Sequence, residues 1–265
     1  MKELKYYSEL ANKILIEDTK YQLDKNIISS IFNKTCNSVL ETIVFRLTII
    51  DGYYSTQLNK RYFGIEEIAE AIINITDDDY LLVEKFSYYL RNPEYDNEIS
   101  GLFESDYGYR KTGKKVGGAQ SLISKYAYFL TKYKFPIYDR LVKVSYPEIK
   151  NLYPELELYD LTKLFSREYF TNITNLNKVS DINDYDKLDN LLWLFGKLKE
   201  GSFSLILNRN DYLKLVHQIN FKNGLKSNQV DEVIRNYIIE NINSINLKNI
   251  FNDRILEFIK FCYLK

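Results

Sequence analysis

A lysine and an aspartate near the middle of the chain are the residues whose types and spacing suit catalysis. Lys125 lies in a segment whose apolar positions recur at helical spacing from Ala119 onward. Asp139 follows Pro136, and we expect the helix to end before this proline because prolines disfavour helical backbone in the residue ahead of them. An amine and a carboxylate on rigid elements either side of a cleft can act at a sugar carbon. The alternative for Lys125 is a surface ion pair.

A glycine-containing, basic segment precedes this helix. Gly117 and Gly118 suit a tight turn because glycine tolerates backbone angles that other residues resist. Backbone N–H groups at a helix N-terminus attract phosphate, and basic side chains add further phosphate contacts. The basic residues of the segment are Arg110, Lys111, Lys114 and Lys115. Two interpretations stay open, namely a phosphate-binding basic hairpin and a solvated basic loop.

The same stretch, from Gly108 to Lys115, nearly spells a nucleotide-binding P-loop. A P-loop needs Ser or Thr at its last position to hold magnesium, and this chain has Lys115 there. The preceding residues do not resemble a buried parallel strand, and no βαβ pattern follows. The sequence therefore does not favour a P-loop.

Composition limits the classes of protein. The 36 basic and 36 acidic residues cancel, which argues against a generally sticky nucleic-acid binder but allows a local basic patch. Two cysteines and one histidine cannot supply a four-thiolate cluster or a multi-histidine metal site, so we expect no metal and no cofactor. No stretch reaches the roughly 18 apolar residues of a membrane span, and no signal peptide is evident. We therefore expect a cytoplasmic protein.

Apolar periodicity predicts an all-α protein with about ten helices. We divide the chain into a helical core at residues 1–200 and a C-terminal helical extension at 201–265, packed on the core. The pattern at Phe203–Leu207 alternates weakly and allows a short strand. Helical runs are expected at 3–16, 25–36, 38–57, 65–73, 80–90, from 119 to before 136, from about Leu141 onward, 157–166, 187–199, 211–219, 228–242 and 247–263.

Several isolated residues have structural interpretations that compete with functional ones. Trp193 is expected in the core, and His217 is expected to be structural. The acids at Asp77–Asp79 suit a helix cap better than a metal site. Tyrosines at positions 53, 54, 126 and 128 could stack on bases, but their helical spacing also fits a core.

Two segments resemble the helix–hairpin–helix DNA glycosylase superfamily. Residues 44–72 are similar to that family's long helix, which ends in a Ser/Thr-Gln stretch and precedes a short helix with an acidic start. Residues 110–142 are similar to its hairpin, the following helix and its Pro-x-Asp turn. The resemblance implies a two-lobed helical bundle, with Asp139 supporting reaction at the sugar C1′ atom.

The resemblance also assigns residues that bind DNA. It implies that Gln57 fills the gap left by a flipped-out base, with Asn59 nearby on the DNA. Tyr53 and Tyr54 would line the base pocket. The hairpin residues would hold the phosphate backbone, and they are Arg110, Lys111, Lys114, Lys115, Gly117, Gly118 and Gln120.

The chain departs from the family pattern at three points. Gln120 occupies the position of the lysine found in bifunctional members, and Lys125 lies more than a turn later. The turn from Pro136 to Asp139 is one residue longer than Pro-x-Asp. The cysteines that bind an iron–sulfur cluster in some members are absent.

These patterns lead to one favoured function and two alternatives. The favoured one is a monofunctional DNA glycosylase that hydrolyses the bond to a damaged or modified base in duplex DNA, as in base-excision repair. The first alternative is a catalytically inactive relative that binds DNA or protein, possible in defence against foreign DNA. The second is a helical interaction protein with no role on DNA. The oligomeric state stays open.

Overall fold

The computed structural model describes residues 2–17, 21–54, 56, 58–92, 97–161, 167–219 and 227–264. In these ranges the chain forms fourteen α-helices and three short 3-10 helices, which confirms the all-α class with more helices than expected. The α-helices are α1 (Lys2–Glu17), α2 (Tyr21–Ile31), α3 (Val39–Tyr54), α4 (Gly64–Ile75), α5 (Asp79–Arg91), α6 (Asn97–Glu104), α7 (Gln120–Leu130), α8 (Arg140–Leu152), α9 (Arg167–Val179), α10 (Tyr185–Lys199), α11 (Arg209–Gln218), α12 (Ser227–Asn241), α13 (Ile245–Lys248) and α14 (Asp253–Leu264). The 3-10 helices are Leu58–Lys60, Pro154–Leu156 and Phe203–Leu205.

The chain divides into two compact units that do not follow sequence order. The first unit comprises Met1–Gln22, Arg140–Asp160 and Asn177–Lys265. The second comprises Leu23–Asp139 and Leu161–Leu176. The boundary predicted at residue 200 falls inside the first unit. Within each unit, helices that are far apart in sequence pack together, and the local residue pattern does not reveal which helices do so.

In the first unit, α10 packs against α1 and α8, and α14 packs against α1 and α10. A side chain at Gly196 would place Cβ 2.9 Å from the carbonyl oxygen of Leu141, so glycine allows α10 and α8 to approach closely. Tyr7 of α1 stacks on Phe261 of α14 with ring centroids 3.9 Å apart. Trp193, predicted in the core, is partly buried and lies 5.0 Å from the ring of Tyr21.

In the second unit, α7 is the central helix and packs against α3, α5 and α6. Every residue from Leu122 to Phe129 is buried, so this helix is surrounded on all faces. Beside it, four aromatic rings contact one another with centroids 5.0–6.0 Å apart, namely Tyr89, Phe103, Phe135 and Phe170. Edge-to-face and offset packing of such rings stabilises a core beyond its buried area.

Side-chain caps and turn residues begin and end these helices. Asp78 caps α5 by accepting hydrogen bonds from the N–H groups of Tyr80 and Leu81, as the acids at 77–79 predicted. After α7, Lys132 and Tyr133 both adopt left-handed backbone angles, with φ of 52° and 69°. The Tyr133 N–H donates to the carbonyl of Tyr128 over 2.7 Å, which ends α7 before Pro136 as predicted.

Other predicted elements differ from the structure. The weak strand at Phe203–Leu207 is wrong, because Phe203–Leu205 is a 3-10 helix. Residues 157–161 are not helical, and 162–166 lie outside the described residues. The predicted helix at 247–263 is interrupted between α13 and α14, where the Asn252 side chain accepts from the Ile255 N–H at the start of α14. Two helices, α6 and α9, were not predicted because polar residues dilute their apolar stripes.

Candidate functional site

Lys125 and Asp139, the two predicted catalytic residues, contact each other directly. The Nζ atom of Lys125 lies 3.0 Å from Oδ2 of Asp139. The Lys125 side chain is 2% exposed and the Asp139 side chain is 23% exposed. Lys125 therefore does not form the surface ion pair of the alternative interpretation. The pair is buried at its cationic end and reaches solvent at its acidic end.

Two further groups surround the Lys125 ammonium. Its Nζ atom donates a hydrogen bond to Oγ of Ser121 over 2.7 Å. Ser121 precedes Lys125 by four residues, so the two side chains share one face of α7. Nζ also lies 5.2 Å from the ring centroid of Tyr54, within the range of a cation–π contact. Three contacts thus compensate for the cost of burying this charge.

The turn that carries Asp139 is held from two sides. The backbone N–H of Tyr138 donates to Oγ of Ser124 on α7 over 2.9 Å. The hydroxyl of Tyr169 on α9 donates to the carbonyl of Ile137 over 2.7 Å, and the Tyr169 ring packs edge-on against Tyr138. These contacts hold the backbone just before Asp139, and the contact with Lys125 orients the Asp139 carboxylate.

The two tyrosines predicted for a base pocket occupy different environments. Tyr53 is 44% exposed at the end of α3. Tyr54 is half-buried, and its ring lies 6.2 Å from Phe129 and beneath the Lys125 ammonium. Tyr54 is thus part of the cluster around Lys125. The other two tyrosines weighed for stacking, Tyr126 and Tyr128, are fully buried core residues.

The basic segment folds as a short hairpin, which we call the 108–116 hairpin. The N–H of Val116 donates to the carbonyl of Gly108, and the N–H of Arg110 donates to the carbonyl of Lys114. Tyr109 pairs with Lys115 across the hairpin. The stretch is therefore a hairpin, and its contact with phosphate stays a prediction. Its cations Arg110, Lys111 and Lys114 are exposed and form no ion pair with the described residues.

The fourth cation, Lys115, belongs to an anchor at the base of the hairpin. One carboxylate oxygen of Glu67 on α4 accepts from Nζ of Lys115 and from the N–H of Gly108, each over 2.7 Å. Burial opposes ionisation of Glu67, but the hydrogen bonds from Gly108 and Lys115 outweigh it, and the pKa of the Glu67 carboxyl is lowered. The hydrogen bond to Glu67 raises the pKa of Lys115.

Arg61, which the sequence did not single out, braces the segment between the hairpin and α7. Its Nη1 atom donates to the carbonyl oxygens of Tyr107, Gly117 and Gly118. Burial lowers the pKa of the Arg61 guanidinium, against the opposing effect of nearby acids. The carbonyls of Gly117 and Gly118 are therefore engaged, while their N–H groups find no acceptor among the described residues.

The remaining predicted DNA contacts fall into two groups. The Gln120 side chain donates from Nε2 to the carbonyl of Phe103 over 2.9 Å, so it ties α7 to α6. Gln57 lies outside the described residues, and so does the side chain of Asn59, whose backbone belongs to the 3-10 helix Leu58–Lys60.

A second buried cation lies in the same unit and provides a comparison. Arg46 on α3 donates from Nη1 to both carboxylate oxygens of Asp79, over 3.0 and 2.8 Å. The Arg46 side chain is 3% exposed and that of Asp79 is 51% exposed. Asp79 also lines a cleft of about 480 Å³ together with Phe32, Tyr80, Phe129 and Tyr133. Like Lys125, Arg46 is a buried cation with a more exposed acidic partner.

The described ranges contain no group of three or more His, Cys, Asp or Glu side chains that could hold a metal ion. His217 is exposed on α11 rather than buried. Among the helices described, none has both the length and the apolar character that crossing a bilayer requires.

Comparisons of the chain with models of known protein families, with curated proteins and with solved structures find no match.

Proposed function

We propose that the protein binds duplex DNA and hydrolyses the N-glycosidic bond of a damaged or modified base, with Asp139 as the catalytic carboxylate. One observation carries this proposal. The predicted carboxylate is partly open to solvent and is anchored from behind by the buried ammonium of Lys125, 3.0 Å away. The sequence resemblance to helix–hairpin–helix DNA glycosylases supports the same assignment, and it also suggests their two-lobed fold type.

The chemistry begins with access to the sugar. A base inside a duplex is stacked and paired, so the nucleotide must be extruded at a cost of a few kcal/mol before its C1′ atom can be reached. The C1′–N bond then breaks, and its electron pair leaves with the base, which takes up a proton. Positive charge develops on the sugar, and a carboxylate fixed nearby stabilises it electrostatically.

Water completes the reaction. Its oxygen bonds to C1′ and its proton passes to the Asp139 carboxylate or to solvent, which leaves an abasic site. In this scheme Lys125 is a positioning residue for Asp139. Its Nζ atom is buried against Ser121, Asp139 and Tyr54, and a sugar could reach it only by displacing these groups. The scheme is therefore that of a monofunctional enzyme.

In this proposal the 108–116 hairpin binds the phosphate backbone of the DNA. Arg110, Lys111 and Lys114 are exposed, and the N–H groups of Gly117 and Gly118 lie between them and the N-terminus of α7. Cations and unpaired N–H groups at a helix start are the usual partners of phosphate. Only two residues separate Gly118 from Ser121, and Ser121 accepts a hydrogen bond from Lys125. The proposed phosphate-binding residues are therefore connected to Asp139 through α7 and Lys125.

A second candidate function is DNA or protein binding without chemistry. Gln120 favours it, because this residue stands at the position of the family's lysine and its side chain is used to bind the Phe103 carbonyl. Base-excision repair fits the first function, and recognition of foreign DNA in defence fits the second. For either function, we propose that the protein acts in the cytoplasm.

Release of bases separates the two candidates. Duplexes that each carry one damaged or modified base would be incubated with the protein and scored for abasic sites. We expect Asp139→Asn to lower the rate on the preferred duplex by about a hundredfold or more, since an electrostatic contribution of this kind is lost. DNA binding at low salt, where phosphate contacts are strongest, should persist.

Asp79→Asn is the matched control, because it also removes the acidic partner of a buried cation in the same unit. We expect it to reduce stability without reducing base release. Base release that is unchanged in Asp139→Asn would refute the role of Asp139. A wild-type protein that binds DNA but releases no base from any duplex would favour the second candidate.

A further inference from the structure

We propose that Tyr62 and Phe63, with the exposed cations of the 108–116 hairpin, form a platform that binds an unpaired stretch of nucleic acid by stacking. This proposal does not require cleavage at Asp139. It rests on two aromatic rings that the fold holds in solvent and on the positive charges beside them.

The backbone conformation of Phe63 is unfavourable for a residue with a bulky side chain. Its backbone has φ of 61° and ψ of 10°, in the left-handed region that bulky residues rarely adopt. It is also the N-cap residue of α4, where its side chain makes no capping hydrogen bond. Glycine or asparagine would suit both demands better. The side chain is nevertheless 66% exposed, so this residue adds little to the core.

Backbone strain of this kind is maintained by the surrounding structure and is common at functional sites. Here the neighbouring residue supplies the constraint. The N–H of Tyr62 donates to the carbonyl of Tyr109, and the N–H of Tyr109 donates back to that of Tyr62, each over 3.0 Å. A Cβ atom on Gly108 would lie 2.9 Å from Cα of Gly64, so the two backbones are in close contact. The segment that carries Phe63 is thus fixed against the hairpin.

Tyr62 adds a second exposed ring. It is 53% exposed and lies opposite Tyr109, which in turn lies opposite Lys115. Residues directly opposite in an antiparallel pairing point to the same face, so these three side chains share one surface. Nζ of Lys115 is 4.5 Å from the ring centroid of Tyr109. The result is a small aromatic surface whose far edge carries the Lys115–Glu67 ion pair.

The charges beside these rings select the kind of partner. Arg110, Lys111 and Lys114 lie at the turn of the same hairpin and are exposed without an ion pair to the described residues. Aromatic rings next to exposed cations match a chain of bases joined by phosphates, because each base has a face for stacking and each phosphate has a negative charge. In a duplex those faces are already stacked. We therefore infer that the partner is an unpaired strand, and not a duplex or a protein.

Affinity for a short labelled oligothymidylate, measured by fluorescence anisotropy at low salt, tests the platform. Phe63→Asn should weaken binding about tenfold, the loss of one stacked base, while its melting temperature stays equal or rises because the strain is relieved. Phe63→Gly is a second variant with the same expectation. Tyr88→Ala is the matched control, since Tyr88 is a 46% exposed aromatic residue on α5 of the same unit, and it should not change the affinity.

The charge component is tested by its salt dependence. Lys111→Gln should reduce the slope of log affinity against log salt by about 0.7, the value for one contact to a single-strand phosphate. Phe63→Asn should lower affinity at every salt concentration and leave that slope unchanged. Trp193 is the only tryptophan of the natural chain, so Phe63→Trp in a Trp193→Phe background carries a single indole at position 63. This variant should retain binding, and stacking of a base on the indole should quench its fluorescence.

An affinity for the oligothymidylate that Phe63→Asn and Phe63→Gly leave unchanged would overturn the proposal. An equal loss of affinity in Tyr88→Ala would also overturn it. Asp139→Asn should bind the strand normally, so loss of base release and loss of strand binding are separate outcomes. A blunt duplex should be affected by Lys111→Gln but not by Phe63→Asn, and the reverse result would place Phe63 on a duplex instead.

Discussion

Nζ of Lys125 lies 3.0 Å from Oδ2 of Asp139, fourteen residues further along the chain, and the two side chains differ in exposure. The ammonium is almost completely buried, whereas the carboxylate reaches solvent. Removal of either partner breaks the same contact, but the group left behind differs. This asymmetry makes the structural role of the pair measurable separately from catalysis.

The first prediction concerns the stability of single variants at this pair. Asp139→Leu leaves a buried ammonium without its carboxylate, and we expect it to lower the free energy of unfolding by about 3–5 kcal/mol. Lys125→Met leaves the Asp139 carboxylate, which water can reach, so we expect a smaller decrease in the free energy of unfolding. Urea unfolding of both variants measures the difference, and equal losses would contradict the asymmetry.

A double variant serves as the control for that prediction. Lys125→Met combined with Asp139→Leu removes both charges, and we expect it to be more stable than Asp139→Leu alone. Replacing a whole buried pair by apolar groups is often nearly neutral, while breaking one is not. Additive losses would show that the two residues do not interact energetically.

The second prediction is a pH dependence of the anchor at Glu67. The pKa of its carboxyl is lowered below the ordinary value of 4.5 in the folded protein. A lowered folded-state pKa stabilises the protein above that ordinary value, and the contribution is lost as pH falls through the folded-state pKa. We expect Glu67→Gln to be less stable than the wild type at neutral pH and to approach it as pH falls below 4.5.

Chemical unfolding at a series of pH values measures that convergence. Glu66→Gln removes the same charge from the same turn of α4, where Glu66 is exposed. It should cost less at neutral pH than Glu67→Gln because no hairpin contact is lost. A constant difference between Glu67→Gln and the wild type at all pH values would argue against the ionised carboxylate as the anchor.

The third prediction compares two adjacent glycines before α7. A Cβ on Gly118 would lie 2.1 Å from Nε2 of Gln120, whereas the nearest atom to a Cβ on Gly117 is 3.8 Å away. Gly118→Ala must displace the Gln120 side chain from the Phe103 carbonyl, and we expect a loss of about 1 kcal/mol. Gly117→Ala should be nearly neutral in the same thermal unfolding assay.

The cause of that loss is checked by removing the obstructing side chain. Gln120→Ala alone loses the same hydrogen bond, so Gly118→Ala should add little further loss in a Gln120→Ala background. If the two losses add in full, the crowding at Gly118 arises from some other group.

The fourth prediction concerns the two hairpin glycines with positive φ. Gly108 and Gly113 have φ of 74° and 76°, so alanine at either is strained by about 1–2 kcal/mol. A Cβ on Gly108 would additionally meet Cβ of Arg61 at 2.8 Å and Cα of Gly64 at 2.9 Å, while that on Gly113 would meet nothing within 4 Å. We expect Gly108→Ala to lower the melting temperature clearly more than Gly113→Ala. Similar effects would mean that the hairpin can move away from α4.

Local features of the fold followed from the sequence alone. The apolar spacing after Ala119 predicted α7, and Pro136 indicated that this helix ends before residue 136. The acids at 77–79 predicted the N-cap of α5. Each depends on contacts between residues within about one helical turn, and these are encoded directly in residue order. At 108–116 the sequence left a phosphate-binding hairpin and a solvated loop both open, and the structure shows a hairpin whose turn contains Gly113 with positive φ.

Packing between distant segments decided the rest. A surface ion pair was one expectation for Lys125. In the structure α3, α5 and α6 pack around α7, and the Lys125 side chain is buried against Tyr54 and Asp139. Nothing within one turn of Glu67 or Arg61 indicates that they hold the hairpin and the segment after it, since their partners lie more than forty residues away. Such contacts arise only when helices pack, because packing brings together residues that no spacing along the chain relates.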